Sequence, residues 1–424
     1  MSTRMLRVLA VLVPTLCLMG VAVSAASAAT VYVSNSAPVV PGGKSCAQPG
    51  YKTVQEGINA SAGGTVNVCP GTYTEQVGIT QGVKLTAVSG VGTATLAMPA
   101  SPVPSTSVCD TKAGSEPQID EISICTGATV TLTGVTVEAI VPLETCEDGL
   151  NAIFVAGGGT LKASSMTING ASSSLNNFKG CQHGIAVRVG SASKEEVGHA
   201  TLKGVTVKGY EKNGPTVTFK GSTLSMSTST VTGEGPTPYI AQNGIEAAFG
   251  GQAKIKSTTV TGNECNVGSC GATGEQASGV LFFEAAPGSQ LTGSTVKEND
   301  LGVYYASGKN TVPATAEVSI SKDVLTSNRY EGVLLEEGKA SLTSDTINGS
   351  GRVGIDLYQA SYQESSSESS ATKMKISGQS EAAIKVESDK SLADKPGIFV
   401  ITKSTETGNG ALLINESNNF EVIF

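Results

Sequence analysis

A short unit that recurs along the chain constrains the fold more than any other feature. Each unit joins a run rich in Thr, Ser and Val to a glycine that opens an alternating apolar run, and successive glycines are 22 to 35 residues apart. A period in this range indicates a solenoid, in which each repeat packs only on its neighbours. The glycines that open the second run are Gly149, Gly184, Gly214, Gly244, Gly279, Gly302, Gly332 and Gly354.

The residue types within the unit decide which kind of solenoid is expected. Runs such as 201–207 and 290–296 are rich in β-branched residues and alternate with a period of two, whereas helical repeats need apolar residues at a spacing of 3.6. The leucine ladder that leucine-rich repeats require does not occur. Small side chains suit strands that stack about 4.8 Å apart. The sequence therefore predicts a parallel β-helix.

Two further patterns fit this fold. Thr53 and Glu56 match a capping box, and Val54 and Ile58 share one helix face, which predicts a helix over 51–62 that plugs the N-terminal end. Asparagine tolerates left-handed backbone angles and can bond a stacked neighbour at a turn. The asparagines expected to form such a column, each shortly after a strand, are Asn263, Asn299, Asn328 and Asn348.

The N-terminal segment and the cysteines indicate export. Arg4 and Arg7 precede an apolar run over 9–23 and a small-residue cleavage site at 26–28, as in a signal peptide. Eight cysteines remain after cleavage, and an even number in an exported chain favours disulfides. Sequence proximity suggests the pairs Cys46 with Cys69, Cys109 with Cys125, Cys146 with Cys181, and Cys265 with Cys270.

The charge balance limits the partners. Lys and Arg number 28 against 36 Asp and Glu, and the net charge is −8. An acidic chain without basic clusters argues against nucleic acid and anionic membranes as partners. We expect a secreted monomer outside the cell. The expected organisation is a signal peptide over 1–28, an N-terminal extension over 29–50 and a β-helix domain over 51–424, with a disulfide-held loop at 99–124 and a Ser-rich loop at 361–371.

The segment 51–87, with 51–59, 64–68, 70–77 and 83–87 as its matching parts, resembles the opening of pectin lyase-like β-helix proteins. The downstream Asn and Gly-Ile/Val repeat extends this resemblance to about 51–360. It implies an all-β, single-stranded right-handed parallel β-helix with a short N-terminal capping helix. The scaffold hosts lyases, hydrolases, esterases, epimerases and non-enzymes, so the resemblance leaves the reaction unassigned. Asn151 stands where pectin methylesterases carry a carboxylate nucleophile.

Candidate site residues follow from the strand alternation. If the residue after each repeat glycine points inward, the second and fourth residues after it point outward and stack into columns. Aromatic rings beside carboxylates are typical of a sugar-binding groove, although a solvated face is the alternative interpretation. The catalytic candidates on this face are Glu246, Glu336, Asp356 and Arg188, and the substrate-binding candidates are Phe283, Tyr304 and Tyr358.

A calcium site is a second candidate. Glu144, Glu147 and Asp148 cluster beside Cys146, and Ca²⁺ prefers clustered oxygen ligands, although a solvated acidic loop has the same composition. The lyases of the similar superfamily use Ca²⁺ with a basic residue that abstracts a proton, a role for which Arg188 is the candidate here.

Two functional hypotheses remain open. In the first, a secreted protein binds or modifies an extracellular polysaccharide, as a polysaccharide lyase or another carbohydrate-active enzyme would. In the second, the repeats form a non-catalytic extracellular structural or adhesin-type rod. Several carboxylates, or a Lys or Arg, that converge in a lateral groove would favour catalysis, whereas an evenly polar flank without a groove would favour the rod.

Overall fold

The computed structural model describes residues 28–90, 92–104, 118–142, 146, 149–175, 179–271, 274–307, 317–359, 368–388, 397–417 and 420–424. Nearly all of the predicted signal peptide lies outside these residues. The described part of the chain is almost entirely β-structure, with three parallel sheets and one short helix. No helix in these ranges has the length and apolarity that a bilayer-spanning segment needs.

The three sheets, named A, B and C here, run along the solenoid. The 14-stranded sheet A contains Thr30–Val33, Thr65–Val68, Val83–Ala87, Thr129–Thr133, Gly159–Ser164, Gly198–Lys203, Thr223–Ser227, Gln252–Lys256, Gln290–Thr292, Glu317–Ser321, Lys339–Thr343, Glu368–Thr372, Gly397–Thr402 and Phe420–Ile423. The 12-stranded sheet B contains Val77–Ile79, Gln118–Ile124, Gly149–Val155, Ile185–Val189, Asn213–Thr218, Asn243–Ala248, Ser278–Phe283, Leu301–Ala306, Glu331–Glu336, Val353–Gln359, Ala382–Ser388 and Ala411–Asn415. The 12-stranded sheet C contains Gly71–Thr74, Ala94–Ala97, Thr136–Val141, Thr167–Ser173, Thr206–Lys208, Thr230–Thr237, Thr259–Cys265, Thr295–Lys297, Val324–Thr326, Thr346–Asn348, Lys375–Ser377 and Thr405–Thr407.

The chain visits the sheets in the order A, C, B and then begins the next coil. Every strand pairs in parallel with the equivalent strand of the neighbouring coil, so that Glu246, for example, lies between Thr216 and Leu281. Crossovers between parallel strands are almost always right-handed, since a right-twisted strand packs back onto its sheet only in that way. The predicted parallel β-helix is confirmed.

Glycine is required at the repeat position because the backbone there passes too close to core side chains to leave room for a Cβ atom. A Cβ atom at Gly244 would lie 2.4 Å from Val260 Cγ1 and 2.9 Å from Asn263 Nδ2, closer than real Cβ contacts. The residue after each repeat glycine from Gly244 to Gly354 points inward and is fully buried. Its column in sheet B consists of Ile245, Val280, Val303, Val333 and Ile355.

The predicted capping helix spans Val54–Ser61. Both bonds of the capping box between Thr53 and Glu56 are present. Glu75, from the next coil, accepts hydrogen bonds from the backbone N–H groups of Val54 (2.7 Å) and Gln55 (3.0 Å). A carboxylate at this position satisfies donors that the helix itself leaves open and interacts favourably with the helix dipole. The helix thereby covers the N-terminal end of the core.

The asparagine column forms at the corner between sheets C and B, with one change from the prediction. Asn263 Nδ2 donates to Asn299 Oδ1 (2.8 Å), and Asn299 Nδ2 donates to Asn328 Oδ1 (3.1 Å). Asn348 is exposed and ends a strand, and the buried Ser350 takes the next place in the column. The left-handed angle falls on the residue before each asparagine, as at Glu298 (φ 54°), which frees the asparagine side chain to point inward.

A second polar column lies at the corner between sheets A and C. Asp323 Oδ1 accepts from the Ser294 N–H (2.6 Å), and Asp345 Oδ1 accepts from the Asp323 N–H (2.8 Å). Burial raises the pKa of Asp323 to about 8 and that of Asp345 to about 7. These carboxyls are part of the turn structure, because their oxygens accept backbone donors of adjacent coils.

The cysteines form disulfides along the N-terminal two-thirds of the chain. Bonds join Cys46 to Cys69, Cys146 to Cys181, and Cys265 to Cys270, which are pairs suggested by sequence proximity. Cys125 is also disulfide-bonded, while its suggested partner Cys109 lies outside the described residues.

Three segments that the sequence predicts as extension or loop contain strands. Thr30–Val33 begins sheet A, and Gln118–Ile124 belongs to sheet B. Glu368–Thr372 continues sheet A, with Ser369 and Ala371 pointing into the core. Small residues at alternate positions satisfy the inward face of a stacked strand, so a Ser-rich composition does not exclude a strand.

Candidate functional site

The outer face of sheet B changes along the molecule. In its early strands both faces are buried, and all seven residues of Gln118–Ile124 are buried. Outward side chains such as Asn151 and Phe154 are completely buried. In later strands, from Asn243–Ala248 onward, outward side chains such as Leu281 and Leu334 are half-exposed. The later coils therefore present an accessible face.

Two adjoining pockets lie on this face. The larger, about 660 Å³ and called the C-terminal pocket here, lies over the strands from Leu301–Ala306 to Ala382–Ser388. The smaller, about 290 Å³ and called the N-terminal pocket, lies over the strands from Gly149–Val155 to Asn243–Ala248. Gln182 contributes to the walls of both. We refer to these two pockets on the outer face of sheet B, which share this wall residue, as the lateral groove.

Four of the sequence-predicted residues meet in the C-terminal pocket. Tyr304 and Asp356 flank Leu334 in one column, and Glu336 is the direct neighbour of Tyr358 in the next. All four predicted side chains line the pocket, and Tyr304 Oη donates a hydrogen bond to Glu336 Oε2. The outward columns inferred from the repeat glycines are correct in these coils.

Glu331 is a site residue that the column analysis missed. It lies immediately before a repeat glycine, outside the two columns considered, and its side chain is almost completely buried. Gln276 Nε2 donates to Glu331 Oε2 (3.3 Å), and Arg352 Nη1 lies 3.6 Å from Oε1. Burial, with the negative charge of Asp356 adding to it, raises the pKa of Glu331 to about 8.

Asp356 differs from Glu331 in its surroundings. Its side chain is 7% exposed, and among the described residues Oδ1 has no hydrogen-bond partner. Burial and the charge of Glu387 raise the pKa of Asp356 to about 7, against the opposing effects of Lys385 and Arg352. A buried carboxyl oxygen with no protein partner, on the wall of a pocket, is available to a ligand.

Two cations hold the surrounding carboxylates in place. Arg352 donates to Glu381 Oε2 from Nε (3.0 Å) and Nη2 (2.9 Å). Lys385 forms ion pairs with Glu381, at 3.4 Å, and with Glu387. These residues come from neighbouring strands and turns of the last coils. The columns of outward residues predicted from the repeat could have included Lys385, which continues the column of Asp356. They could not include Arg352, which precedes its strand.

The N-terminal pocket holds Glu246 and Arg188. Asn213 Nδ2 donates to Glu246 Oε2, and burial raises the pKa of Glu246 while Lys212 and Arg188 oppose the rise. Arg188 Nη1 donates to Gln118 Oε1 (2.7 Å), and the guanidinium lies over the Phe154 ring at 5.7 Å from its centroid. The predicted carboxylates are thus divided between two pockets.

The predicted column position of Arg188, the fourth residue after Gly184, is wrong. Arg188 pairs with Phe154 and Thr216, so it belongs to the column of Glu246, which is the second residue after its glycine. The reason is that Ala186, and not Gly184, occupies the place of the repeat glycine in this coil, since Val187 pairs with Pro215.

Two other predicted sites have different outcomes. Phe283 packs edge-on against Phe249, with ring centroids 5.3 Å apart, and lines neither pocket. The calcium candidates Glu144, Glu147 and Asp148 lie outside the described residues.

One metal-like cluster occurs among the described residues, formed by Cys181, His183 and Glu211. Cys181 is bonded to Cys146, and a disulfide sulfur is not a thiolate ligand. The carboxylate of Glu211 already accepts from the N–H groups of Ser173 (2.9 Å) and Gly180 (3.0 Å). This cluster is therefore structural in the disulfide-bonded protein.

The fold defines the class of protein: a right-handed parallel β-helix, as expected from the sequence. No family model and no curated relative matches the chain. Several solved structures match it, and the three described next are each 10% identical to it, which shows the fold alone.

The similar structures include the periplasmic alginate epimerase AlgG, with a TM-score of 0.50 over 85% of this chain and 76% of that one. XylC in complex with xylose has a TM-score of 0.50 over 77% and 70%. The GH136 lacto-N-biosidase from Eubacterium ramulus has a TM-score of 0.51 over 93% and 68%.

Proposed function

We propose that this chain is an exported protein that binds an extracellular polysaccharide in the lateral groove of sheet B and modifies it in the C-terminal pocket. One observation carries the proposal. Aromatic rings and buried carboxyls, which the sequence places in different repeats, line one accessible pocket, where Tyr304 and Tyr358 accompany Glu331 and Asp356.

The chemistry of the pocket suits a sugar. Tyrosine rings offer apolar faces and a polar hydroxyl, and carboxylates accept hydrogen bonds from sugar hydroxyls. A volume of about 660 Å³ lies in the range of ligand-binding clefts. The similar structures support the proposal at the level of the scaffold, since they include an alginate epimerase, a lacto-N-biosidase and a complex with xylose.

Export and a monomeric state are parts of the same proposal. The disulfides support an oxidising compartment, because such bonds persist outside the cytosol. The N-terminal pattern of residues 1–28 supports secretion.

The alternative, a non-catalytic structural rod, is favoured by the outer face of sheet C. Threonines there stack in register over four successive coils, namely Thr206, Thr230, Thr259 and Thr295. Such a face needs no ligand. It leaves the charged groove of sheet B unexplained, and for this reason we prefer the polysaccharide function.

The test is a binding screen with the purified protein. Affinity electrophoresis and calorimetry on neutral and acidic polysaccharides, with Ca²⁺ and with a chelator, should identify at least one bound polymer. Tyr358→Ala should weaken that binding about tenfold, since a stacked ring contributes roughly 1 kcal/mol or more beyond its area. The matched control is Tyr32→Ala, a half-buried tyrosine on sheet A. Failure of every polymer to bind, or equal loss in both variants, would refute the proposal.

A further inference from the structure

The inference concerns the reaction in the C-terminal pocket and rests on the proposed function. We infer that Asp356 and Glu331 are the acid–base pair of a glycoside hydrolase that acts on an uncharged glycan.

The first support is the placement of the two carboxyls. They lie on neighbouring strands, where Leu334 pairs with Asp356 and Glu331 precedes Leu334 by three residues. Strand geometry then separates the two Cα atoms by roughly 11 Å. Both side chains line the pocket, and the charge of Asp356 acts on Glu331. A pair in this arrangement can flank a bound glycosidic bond, as hydrolysis requires.

The second support is the difference in hydrogen bonding. Glu331 has Gln276 and Arg352 beside its two oxygens, whereas Asp356 Oδ1 is nine-tenths buried and has no partner among the described residues. Two nearby carboxyls in unequal surroundings hold one proton between them near neutral pH, because both cannot ionise easily. Such a pair can supply a proton with one member and accept a proton with the other.

The step is an addition of water across the glycosidic bond. The bond from the anomeric carbon to the leaving oxygen breaks, and the protonated carboxyl of the pair gives its proton to that oxygen. Water supplies the hydroxyl to the anomeric carbon, and its remaining proton goes to the carboxylate member. The pair thus ends with the same number of protons, and no oxidant, reductant or other reactant is needed.

The third support concerns the substrate. The charged groups among the described lining residues are five carboxyls and two cations, the carboxyls being Glu275, Glu331, Glu336, Asp356 and Glu387. Like charges at close range disfavour an anionic sugar. Removal of a proton next to a uronate would need cations around the sugar carboxylate, and the side chains of the lining supply two, Lys212 and Arg352, against the five carboxyls. The pocket therefore favours hydrolysis of neutral sugars over elimination from uronates.

The experiment compares the full-length protein with Asp356→Asn and Glu331→Gln on neutral glucans, xylans and galactans, with polygalacturonate and alginate as anionic arms. We expect the wild-type protein to release reducing ends from a neutral glycan without unsaturated sugars. Each variant should lower kcat by about 10²- to 10⁴-fold, the usual contribution of a general acid or base. It should also remove one limb of the pH profile of kcat/KM, and polymer binding should persist. The control is Glu317→Gln, an exposed carboxylate on sheet A.

Several results would overturn the inference. Unsaturated products, or cleavage confined to the polyuronates, would show elimination. An unchanged kcat in both variants would show that Asp356 and Glu331 are not the acid and base of the reaction. Polymer binding without any cleavage by the wild-type protein would refute the hydrolase and leave the proposed binding function standing, whereas absence of binding would refute both. Circular dichroism and melting of each variant will show that a loss of turnover is not a loss of fold.

Discussion

The two pockets occupy the same sheet and the same register columns, yet their chemistry differs. In the coils of the N-terminal pocket, the position before the repeat glycine carries an amide: Asn243 Nδ2 donates to Asn213 Oδ1 (3.0 Å), and Ser278 Oγ donates to Asn243 Oδ1 (2.7 Å). In the C-terminal pocket the same column reaches Glu331. Amides stack because each is both donor and acceptor, whereas a carboxylate only accepts and needs a cation, a proton or a ligand. The same column thus carries hydrogen-bonded amides in the N-terminal coils and the proposed catalytic carboxyl in the C-terminal coils.

The largest expected effect comes from changing the C-terminal pocket to resemble its neighbour. Glu331→Asn places an amide at the position that Asn243 occupies three coils earlier, and should lower the proposed turnover by about 10²-fold or more. It should also stabilise the protein at neutral pH, since a buried carboxyl is removed. Steady-state rates and thermal melts will measure both effects. A variant with full activity would show that the carboxyl at this position is dispensable.

A change in the amide ladder of the N-terminal pocket should affect stability alone. Asn243→Ala leaves Asn213 Oδ1 and Ser278 Oγ without their bonds in the buried ladder, which should cost about 1–3 kcal/mol. Urea unfolding will give the free energy, and kcat on the bound glycan should stay unchanged. If Asn243→Ala reduced kcat without lowering stability, the two pockets would not be separable in function.

A pH effect of intermediate size should follow from the buried carboxyls. The folded-state pKa values of Glu331, Asp356, Asp323 and Asp345 are raised, so the folded protein holds protons that the unfolded chain releases above about pH 4. Stability should therefore be greatest at mildly acidic pH and fall as the pH rises through 7 to 8. Melting temperatures between pH 5 and 9 will test this, and Glu331→Gln should flatten the curve. A melting temperature that rises over this range would contradict the assignment.

The smallest effect is expected at Arg188. Arg188 lies in the same column as Glu246 and Asp356, at the N-terminal end. Even Glu246, the nearer of its neighbours to the C-terminal pocket, lies four strand spacings, about 19 Å, from Asp356 in this column. Arg188→Ala should therefore raise KM for a long polymer several-fold and leave kcat nearly unchanged. Short oligosaccharides, which cannot span both pockets, should show no difference between variant and wild type. A large fall in kcat would place the reaction in the N-terminal pocket instead.

The repeat pattern was sufficient to predict the fold, because the close approach at Gly244 and the alternation after it are local requirements. It was also sufficient to bring Tyr304, Glu336, Asp356 and Tyr358 to one face, since strict stacking carries local alternation over long distances.

Prediction failed where stacking is not strict or where contacts come from elsewhere. Ala186 replaces the glycine in one coil and shifts the register of Arg188. Glu331 begins its strand at a corner, where alternation does not define the direction of a side chain. Gln276 and Arg352 reach the pocket from segments between strands of sheet B, and such contacts between coils leave no periodic signal.

Because neighbouring coils stack strand on strand in register, the distance between the two pockets is a whole number of strand spacings. The strand Ser278–Phe283 separates the last strand under the N-terminal pocket from the first strand under the C-terminal pocket. Addition or removal of one complete coil would change the distance between the pockets by a single strand spacing of about 4.8 Å. The number of coils thus sets the spacing of the two pockets. Under the proposed function, it also sets the shortest polymer that can occupy both pockets at once.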